Sequence, residues 1–256
     1  MLSLHEEYFH IGFSGFMTHC SLIVSKTESE VLIGQNWDWP CRYIAWGEIV
    51  ILEIGENFKI LTYHYPGLPV GISINSYGVS MAWTGAGYFP LVSPQPGIPT
   101  YLLLLEIMLR DSVRNISGYL MRTPKSGASI VSIADSECNA AIFEIIPKLS
   151  VRKSVKRVAT RANHFEYPEV IKASKQSSWE GTKSGKRIKQ FDCWKNEHSV
   201  LTKQKIKNQL LNKDIFIDDN FSAMTIHSFL LDGKNKNILM REGGTDTGQR
   251  WRSYSF

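Results

Sequence analysis

The stretch CSLIVSKTESEVLIGQNWDW, residues 20–39, predicts two β-strands and begins with a thiol. Side chains alternate along a strand, so Asn36 and Asp38 point to one face, and antiparallel pairing can bring both close to Cys20. A carboxylate in that place can orient an amine beside the sulfur. A cysteine beside an aspartate is nevertheless more often a packing residue, because a thiol is readily buried as a small hydrophobe. Residues 20–39 therefore leave both interpretations open.

The strand pattern continues after this stretch and then gives way to helix. Short apolar runs bounded by turn residues indicate strands at EIVILEI, FKILTYH, VGISIN and GVSMAW, with a hairpin turn near Gly55 to Asn57. Pro99 suits a first helical turn, and YLLLLEIMLRDSV after it has apolar residues at three- and four-residue spacing. A second short helix is predicted near Ser112 to Met121.

Strands return in the second half of the chain. They are predicted at ASIVSIAD, AAIFEII and LSVRKSVKRVATRA, in a terminal hairpin TIHSFLLDGKNKNILMREGG, and in a last edge strand RWRSYSF. Residues 166–213 are polar and lysine-rich, and their clearest helix is SVLTKQKIKNQLLNK, capped by Ser199 or Thr202. Runs of strands that alternate with runs of helices predict an α+β layered domain.

Composition and charge narrow the class of protein. The 256 residues, 43% of them apolar, can bury one sizeable core, and no apolar run approaches the roughly 20 residues that span a bilayer. Residues 148–213 hold 17 Lys and Arg against 5 Asp and Glu. Such a block can attract nucleic acid, an acidic membrane surface or a phosphorylated substrate, but a solvated helical face is the commoner cause. Without an RNA-binding motif or an aromatic stacking platform, we expect no nucleic-acid partner.

The cysteines and the first residues indicate a compartment. Four cysteines (Cys20, Cys41, Cys138 and Cys193) stand far apart, without a CxxC pair or a histidine at zinc-finger spacing, so neither a disulfide framework nor a metal site is expected. The opening MLSLHEEYFH has Glu6 and Glu7 where a secretory signal needs a positive charge and an apolar stretch. These features predict a cytoplasmic protein.

An ordered set of motifs covers most of the chain after residue 19. Its members are Cys20-Ser21, the strand end Gly34 to Trp39, the stretch Asn75 to Ala82, Ile98-Pro99 and the triplet Asn163-His164-Phe165. The set resembles the isopenicillin N acyltransferase family, with choloylglycine hydrolases and acid ceramidase as more distant relatives, and TIHSFLLD is similar to the closing strand of the family.

The resemblance implies a four-layer αββα fold of two stacked antiparallel sheets, that of the N-terminal-nucleophile (Ntn) hydrolases. It also implies cleavage between His19 and Cys20, which divides the chain into a pro-segment, residues 1–19, and one catalytic domain, residues 20–256. The α-amine thus exposed has a reference pKa near 8 and can serve as general base to its own thiol. Cys20 would then be the nucleophile, while Asp38 orients the amine and Asn163 donates to the oxyanion.

The implied substrate is a small-molecule acyl donor, either an N-acyl amide or an acyl-coenzyme A thioester, and no cofactor is required. Two positions depart from the family pattern. Gln35 stands where the choloylglycine relatives carry an arginine, and Trp83, Thr84 and Gly85 stand where relatives often carry an asparagine. Which acyl donor is used, and the oligomeric state, are not encoded in recognisable motifs.

Two other classes of protein stay open at this level. A papain-like Cys-His hydrolase needs a histidine near the sulfur, and the chain has seven, none within a recognised signature. A non-catalytic relative of the same fold would keep the strands and use Cys20 only for packing. Rapid alkylation of Cys20 in the native protein would favour an enzyme, and inert thiols a structural role.

Overall fold

The computed structural model describes residues 20–64, 67–86, 95–198, 201–217, 224–243 and 249–256, with the side chains of residues 41–43 excepted. The predicted pro-segment, residues 1–19, lies outside the described residues.

Thirteen strands and five α-helices make up the described part of the chain. The strands are β1 Ser21–Lys26, β2 Val31–Trp39, β3 Glu48–Ile54, β4 Phe58–His64, β5 Ser73–Asn75, β6 Ser80–Gly85, β7 Ser129–Ala134, β8 Ala140–Ile146, β9 Leu149–Ser154, β10 Val158–Arg161, β11 Met224–Asp232, β12 Asn237–Glu242 and β13 Arg252–Ser255. The helices are α1 Thr100–Met108, α2 Val113–Arg122, α3 Pro168–Ser174, α4 Lys183–Glu197 and α5 Lys203–Leu210, and a 3-10 helix spans Cys41–Trp46.

The strands form two antiparallel sheets. One has six strands in the order β10-β1-β2-β11-β12-β13, and the other has seven in the order β3-β4-β5-β6-β7-β8-β9. The seven-stranded sheet is a meander, because each of its strands pairs with the next one along the chain. The six-stranded sheet instead places β1 in its interior, between β10 and β2.

The two sheets stack face to face, and one apolar core draws side chains from both of them. Every residue of β2, β7, β8 and β11 is buried, because these strands are covered on both faces and read as nearly continuous apolar runs. Helices α1, α2 and α3 cover the outer face of the seven-stranded sheet, and α4 and α5 cover that of the six-stranded sheet. The predicted four-layer αββα sandwich is thus the observed fold.

Several element boundaries match the sequence pattern for visible physical reasons. Pro99 is the N-cap of α1, and Ser112 caps α2 by accepting a hydrogen bond from the backbone N–H of Asn115. The β3–β4 hairpin turns at Gly55, whose φ of 66° suits a residue without a Cβ. Thr202 caps α5 through the N–H of Lys205, as one of the two predicted caps.

Two features differ from the prediction. The run LSVRKSVKRVATRA is two strands, because β9 ends at Ser154 in one sheet while β10 begins at Val158 in the other, so the chain crosses between sheets there. The sequence pattern indicates helices in residues 166–213 but assigns only SVLTKQKIKNQLLNK, so α4, of 15 residues, has no predicted counterpart. Its polar composition and the glycines Gly181 and Gly185 are not typical of a helix, so the sequence pattern gives no clear signal there. Thr182 nevertheless caps its first turn by accepting from the N–H of Gly185.

No helix in the ranges that the structure describes is long and apolar enough to cross a bilayer. Within the same ranges, no group of three or more His, Cys, Asp or Glu side chains is arranged to hold a metal ion.

Candidate active site

Strand pairing brings the predicted site residues to one end of the six-stranded sheet. Cys20 comes directly before β1 and is 5% exposed. Ser21 pairs with Asn36 of β2, which places Asp38 just beyond Cys20 along the neighbouring strand. On the other side of β1, Leu22 pairs with Arg161 of β10, so the chain leaves β10 beside Cys20. Both neighbouring strands therefore deliver side chains to the start of β1.

The expected common face of Asn36 and Asp38 is confirmed by their partners. The Asn36 side-chain amide donates to the carbonyl of Leu210 in α5, at 2.7 Å, and accepts from the Ser228 hydroxyl, at 2.8 Å. Asp38 instead faces Arg187 of α4. Both side chains thus point outward from the sandwich, towards the helices that cover the six-stranded sheet.

Arg187 connects all three predicted residues. Its guanidinium donates to the carbonyl of Cys20 at 2.7 Å, to the Ser21 hydroxyl at 2.8 Å, and to the side-chain oxygen of Asn163 at 2.9 Å. It also lies 3.6 Å from Asp38 Oδ2. Arg187 is 3% exposed, and burial lowers its pKa while the nearby Asp38 and Cys20 side chains oppose that shift. A planar fork of donors suits this arrangement, which a lysine could not reproduce.

Asp38 is a buried carboxyl with one well-bonded oxygen. Its Oδ1 accepts from the Thr225 hydroxyl at 2.6 Å, and among the described residues its Oδ2 has no hydrogen-bond partner. Burial raises the pKa of Asp38 to about 7, against the lowering effects of Arg187 and Thr225. The Asp38 carboxyl therefore changes charge near neutral pH and presents an open acceptor beside the guanidinium.

Asn163 is held at every polar atom of its side chain. Its Nδ2 donates to the Thr84 hydroxyl at 2.6 Å and to the carbonyl of Gly85 at 3.0 Å, both at the end of β6. Its Oδ1 accepts from Arg187. Since Arg187 can only donate, this contact fixes which end of the amide is oxygen. Asn163 thereby links the six-stranded sheet to the seven-stranded sheet.

The turn that carries Asn163 is anchored on both sides. The Glu144 carboxylate of β8 accepts from Arg161 Nε at 3.1 Å and from the backbone N–H groups of Glu166 and Tyr167, each at 2.9 Å. Burial raises the pKa of Glu144. The Ser184 hydroxyl of α4 accepts from the N–H of Asn163 at 3.0 Å. These contacts leave the turn little freedom to move Asn163 away from Arg187.

Two buried histidines near the site have partners other than acids. His164 Nδ1 contacts the Ser184 hydroxyl at 2.8 Å, and His227 Nδ1 contacts the Tyr63 hydroxyl at 3.0 Å. Burial lowers the pKa of each histidine to about 4. Both rings are therefore neutral at pH 7, and no carboxylate among these contacts raises their basicity.

Gln35, which departs from the family pattern, points into the space between the sheets. It is fully buried, and its Nε2 donates to the carbonyl of Trp83 at 2.6 Å. An uncharged side chain here ties β2 to β6 next to Thr84 and Gly85. This contact does not require the positive charge that an arginine would bring.

Sequence motifs predicted Cys20, Asp38 and Asn163 as site residues but assigned no role to Arg187, Thr84 or Thr225, which contact them in the structure. A signal for Arg187 does exist, because the buried positions of α4 are spaced as one helical face: Ser184, Arg187, Phe191 and Trp194. An arginine on the buried stripe of a polar helix must find partners inside the protein. Thr84 and Thr225 carry no comparable signal, since a strand threonine is usually a packing residue.

The fold matches several solved structures. A mutant of conjugated bile acid hydrolase from Clostridium perfringens has a TM-score of 0.66 at 11% identity, over 93% of this chain and 92% of that chain. A penicillin V acylase from Agrobacterium tumefaciens has a TM-score of 0.56 at 11% identity, over 91% of this chain and 85% of that chain. An ortholog of N-acylethanolamine-hydrolyzing acid amidase from Caenorhabditis elegans has a TM-score of 0.51 at 10% identity, over 84% of this chain and 93% of that chain.

No protein-family model matches the chain, and no curated protein matches it. At about a tenth identity, the structural likeness establishes the fold, which is that of the Ntn hydrolases. By name, the matched proteins are a bile acid hydrolase, a penicillin acylase and an acid amidase. The narrower resemblance to isopenicillin N acyltransferases stays an expectation from the sequence motifs.

Proposed function

We propose that the chain is an Ntn amidohydrolase or acyltransferase that cleaves itself before Cys20 and then forms an acyl-enzyme on the Cys20 sulfur. The observation that carries this proposal is the convergence of Cys20, Asp38 and Asn163 on one buried guanidinium, Arg187. A packing cysteine needs no such surroundings. The fold, shared with a bile acid hydrolase, a penicillin acylase and an acid amidase, supports the same reaction class.

The reaction requires a base beside the thiol. After cleavage, the α-amine of Cys20 takes the thiol proton, and the sulfur attacks the acyl carbonyl carbon. The C–N bond then breaks, and the ammonium returns its proton to the leaving amine. Water or an acceptor amine next attacks the thioester, loses a proton to the same amine, and regenerates the thiol. One residue thus supplies both nucleophile and base.

Asp38 and Arg187 have complementary roles in this scheme. In this scheme Asp38 Oδ2, which has no hydrogen-bond partner among the described residues, accepts from the new ammonium and favours its charged form. Arg187 holds the Cys20 carbonyl and the Ser21 hydroxyl, and so fixes the first residue of β1. Fixing the reacting group in advance lowers the entropic cost of reaction.

The substrate in this proposal is a small acyl amide or thioester. A phosphorylated donor such as an acyl-coenzyme A would suit the basic segment, residues 148–213. An N-acyl amide needs no such attraction, and the names of the fold relatives favour that class. We propose the N-acyl amide as the first substrate class to test.

Intact mass spectrometry of the purified protein tests the first step. We expect a chain that begins at Cys20 in the wild type and an uncleaved chain in Cys20→Ala. Cys193→Ser is the matched control, because Cys193 is exposed on α4 and should not affect cleavage. An uncleaved wild-type chain that still hydrolyses amides would show that the free-amine mechanism is wrong.

A panel of N-acyl aminocoumarins with acyl groups of increasing length tests the second step. Among preparations of cleaved wild type, the rate of aminocoumarin release should be proportional to the fraction of chains whose Cys20 can be alkylated by iodoacetamide. A protein that stays uncleaved, whose Cys20 is inert and which releases nothing would be a non-catalytic relative. That outcome would refute the proposed function as a whole.

A further inference from the structure

Strand β11 has a β-bulge beside Asp38. Thr225 pairs with Asp38 of β2 and His227 pairs with Trp37, so Ile226 is an extra residue in β11. Side chains alternate along a regular strand, which would put Thr225 and His227 on one face. The bulge separates them, because Thr225 contacts Asp38 on the outer face of the sheet while His227 points between the two sheets.

Gly243, which directly follows β12, packs against the bulged backbone. Its N–H donates to the carbonyl of Ile226 at 2.6 Å. A Cβ at residue 243 would overlap the carbonyl oxygen of Thr225 and lie 2.8 Å from that of Ile226. The bulge, and with it the position of Thr225, therefore depends on a residue without a side chain at this point.

The Thr225 hydroxyl is held on one side and donates on the other. Its oxygen accepts from the backbone N–H of Ile217 at 3.0 Å, and the N–H of Thr225 donates to the carbonyl of Ile217 at 2.8 Å. The hydroxyl hydrogen goes to Asp38 Oδ1 at 2.6 Å. Thr225 thus fixes Oδ1, and Oδ2, which has no hydrogen-bond partner among the described residues, is the open acceptor of the carboxyl.

Asp38 Oδ2 lies close to Cys20. One nitrogen of Arg187, Nη1, is 3.6 Å from Asp38 Oδ2 and 2.7 Å from the carbonyl oxygen of Cys20. At 3.6 Å the carboxyl and the guanidinium attract one another without a hydrogen bond. By holding Oδ1, Thr225 keeps the carboxyl from turning into a two-bond pair with Arg187, the arrangement that such groups favour. Oδ2 therefore stays open beside Cys20.

We propose that Thr225 is a positioning residue for the reaction on Cys20. Placed by the bulge against Asp38 Oδ1, its hydroxyl keeps Oδ2 directed at the amine that cleavage exposes. The inference rests on the proposed function and deepens it, because it explains why the Asp38 carboxyl is not fully bonded to Arg187. Thr225 acts through Asp38 and takes part in no covalent step.

The titration of Asp38 in the Cys20→Ala chain tests the bond without requiring cleavage or turnover. It is followed by the ¹³C chemical shift of the Asp38 carboxyl carbon, assigned by its loss in Asp38→Asn. A hydroxyl that donates to the charged carboxylate lowers its pKa, so Thr225→Val should raise the midpoint by about one pH unit. Thr225→Ser, which keeps a hydroxyl, should restore the midpoint of the parent chain.

Ser228→Ala, in the same parent chain, is the matched control. The Ser228 hydroxyl of β11 also donates to a side chain directly across on β2, to Asn36 Oδ1 at 2.8 Å. Its removal should leave the Asp38 midpoint unchanged. Of the groups near Asp38, Arg187 keeps its charge and His227, with a pKa of about 4, is neutral near pH 7, so neither titrates with Asp38.

Gly243→Ala tests the bulge itself. Its methyl group must displace Thr225, so the Asp38 midpoint should rise as in Thr225→Val. Gly233→Ala is the control, because a Cβ at Gly233, in the turn of the β11–β12 hairpin, would lie 2.5 Å from the carbonyl oxygen of Gly78. Both variants should lose stability, and only Gly243→Ala should move the Asp38 midpoint.

Turnover tests the positioning role. In cleaved protein, Thr225→Val should slow the release of aminocoumarin by about tenfold, and Thr225→Ser should largely restore it. If Thr225→Val does not fold, Thr225→Ser and Thr225→Ala, which differ by one hydroxyl, give the same comparison.

Three results would overturn the inference. An unmoved Asp38 midpoint in Thr225→Val, or an equal shift in Ser228→Ala, would show that Thr225 only packs. A moved midpoint with unchanged release would show that the bond does not serve the reaction. A wild type without Cys20-dependent release would instead refute the proposed function, while the Asp38 midpoints would still report on the bond.

Discussion

The two helical layers of the sandwich bury side chains of different chemical character. In α1, over the seven-stranded sheet, the buried face is largely aliphatic and includes Leu103, Leu104, Ile107 and Met108. In α4, over the six-stranded sheet, the buried face begins with Ser184 and Arg187 and becomes apolar only further along the helix. One layer stabilises its sheet by excluding water, and the other also delivers a charge to the candidate site.

This difference explains how a polar helix can be essential to the fold. The apolar half of the α4 face, Phe191 and Trp194, joins a small cluster with side chains of α5 and β1. That cluster fixes the helix on the sheet, and Arg187, one turn nearer the N-terminus, is then fixed as well. We infer that mutations in α1 act on stability alone, whereas mutations at the start of α4 act on chemistry as well as on stability.

Arg187→Met should have the largest effect on activity. The variant removes the donor to Cys20, Ser21 and Asn163, and we expect amide hydrolysis to fall by about 10² to 10³. Losing one partner of a buried ion pair should also cost about 3–5 kcal/mol of stability. Lys186→Met, on the exposed face next to it, is the control for the helix. Activity within threefold of the wild type would refute the role assigned to Arg187.

Leu104→Ala should lower stability without lowering the reactivity of the folded protein. Leu104 is fully buried in α1, so its truncation should lower the free energy of unfolding by about 2–5 kcal/mol, measured in urea. The folded fraction should still alkylate Cys20 at the wild-type rate. Leu102→Ala, at a position that is 39% exposed, should change stability by less than about 0.5 kcal/mol. A loss of Cys20 alkylation in the folded fraction of Leu104→Ala would contradict the distinction drawn between the two helical layers.

Asp38 should make stability depend on pH in a definite direction. Its pKa of about 7 in the folded chain lies above the ordinary value of 3.8, so from about pH 4 to 7 the folded state holds a proton that the unfolded state has lost. Stability contributed by the protonated form is therefore lost as pH rises through this window, by at most about 1.4 kcal/mol per pH unit.

Unfolding of Cys20→Ala and of Cys20→Ala with Asp38→Asn, each followed against pH, measures that contribution, because neither chain is expected to expose the Cys20 amine. The free energy of unfolding of Cys20→Ala minus that of the double variant should fall as pH rises from 4 to 7 and stay flat above. A difference that rises with pH would show that the Asp38 pKa is lowered.

Cys193→Ser should have the smallest effect. Cys193 lies on α4 but faces solvent, between the buried Phe191 and Trp194. We expect a change in stability below about 0.5 kcal/mol and an unchanged rate of amide hydrolysis. A folded but inactive Cys193→Ser would point to a different nucleophile.

Apolar spacing in the sequence predicted the individual strands and the aliphatic helices, whereas the stacking of two antiparallel sheets was implied by the family resemblance. Local motifs suggested Cys20, Asp38 and Asn163 as site residues, and the fold brings these three residues together around Arg187. No local motif marks either Arg187 or Thr84. Arg187 meets Cys20 and Asp38 only when α4 packs on the six-stranded sheet, and Thr84 meets Asn163 only when the two sheets stack. Thr84 lies 79 residues before Asn163 in the chain, yet their side chains are in contact.

The position of β1 inside its sheet has a mechanical consequence for a chain that is cut before Cys20. Chain ends normally fray, because their last residues are held on one side at most. An end at Cys20 would instead be clamped between β10 and β2, with its first carbonyl bound by Arg187. The new terminus would therefore be held as firmly as an interior residue of the protein. Its amine would have a fixed position from the moment it appears, without any closing motion.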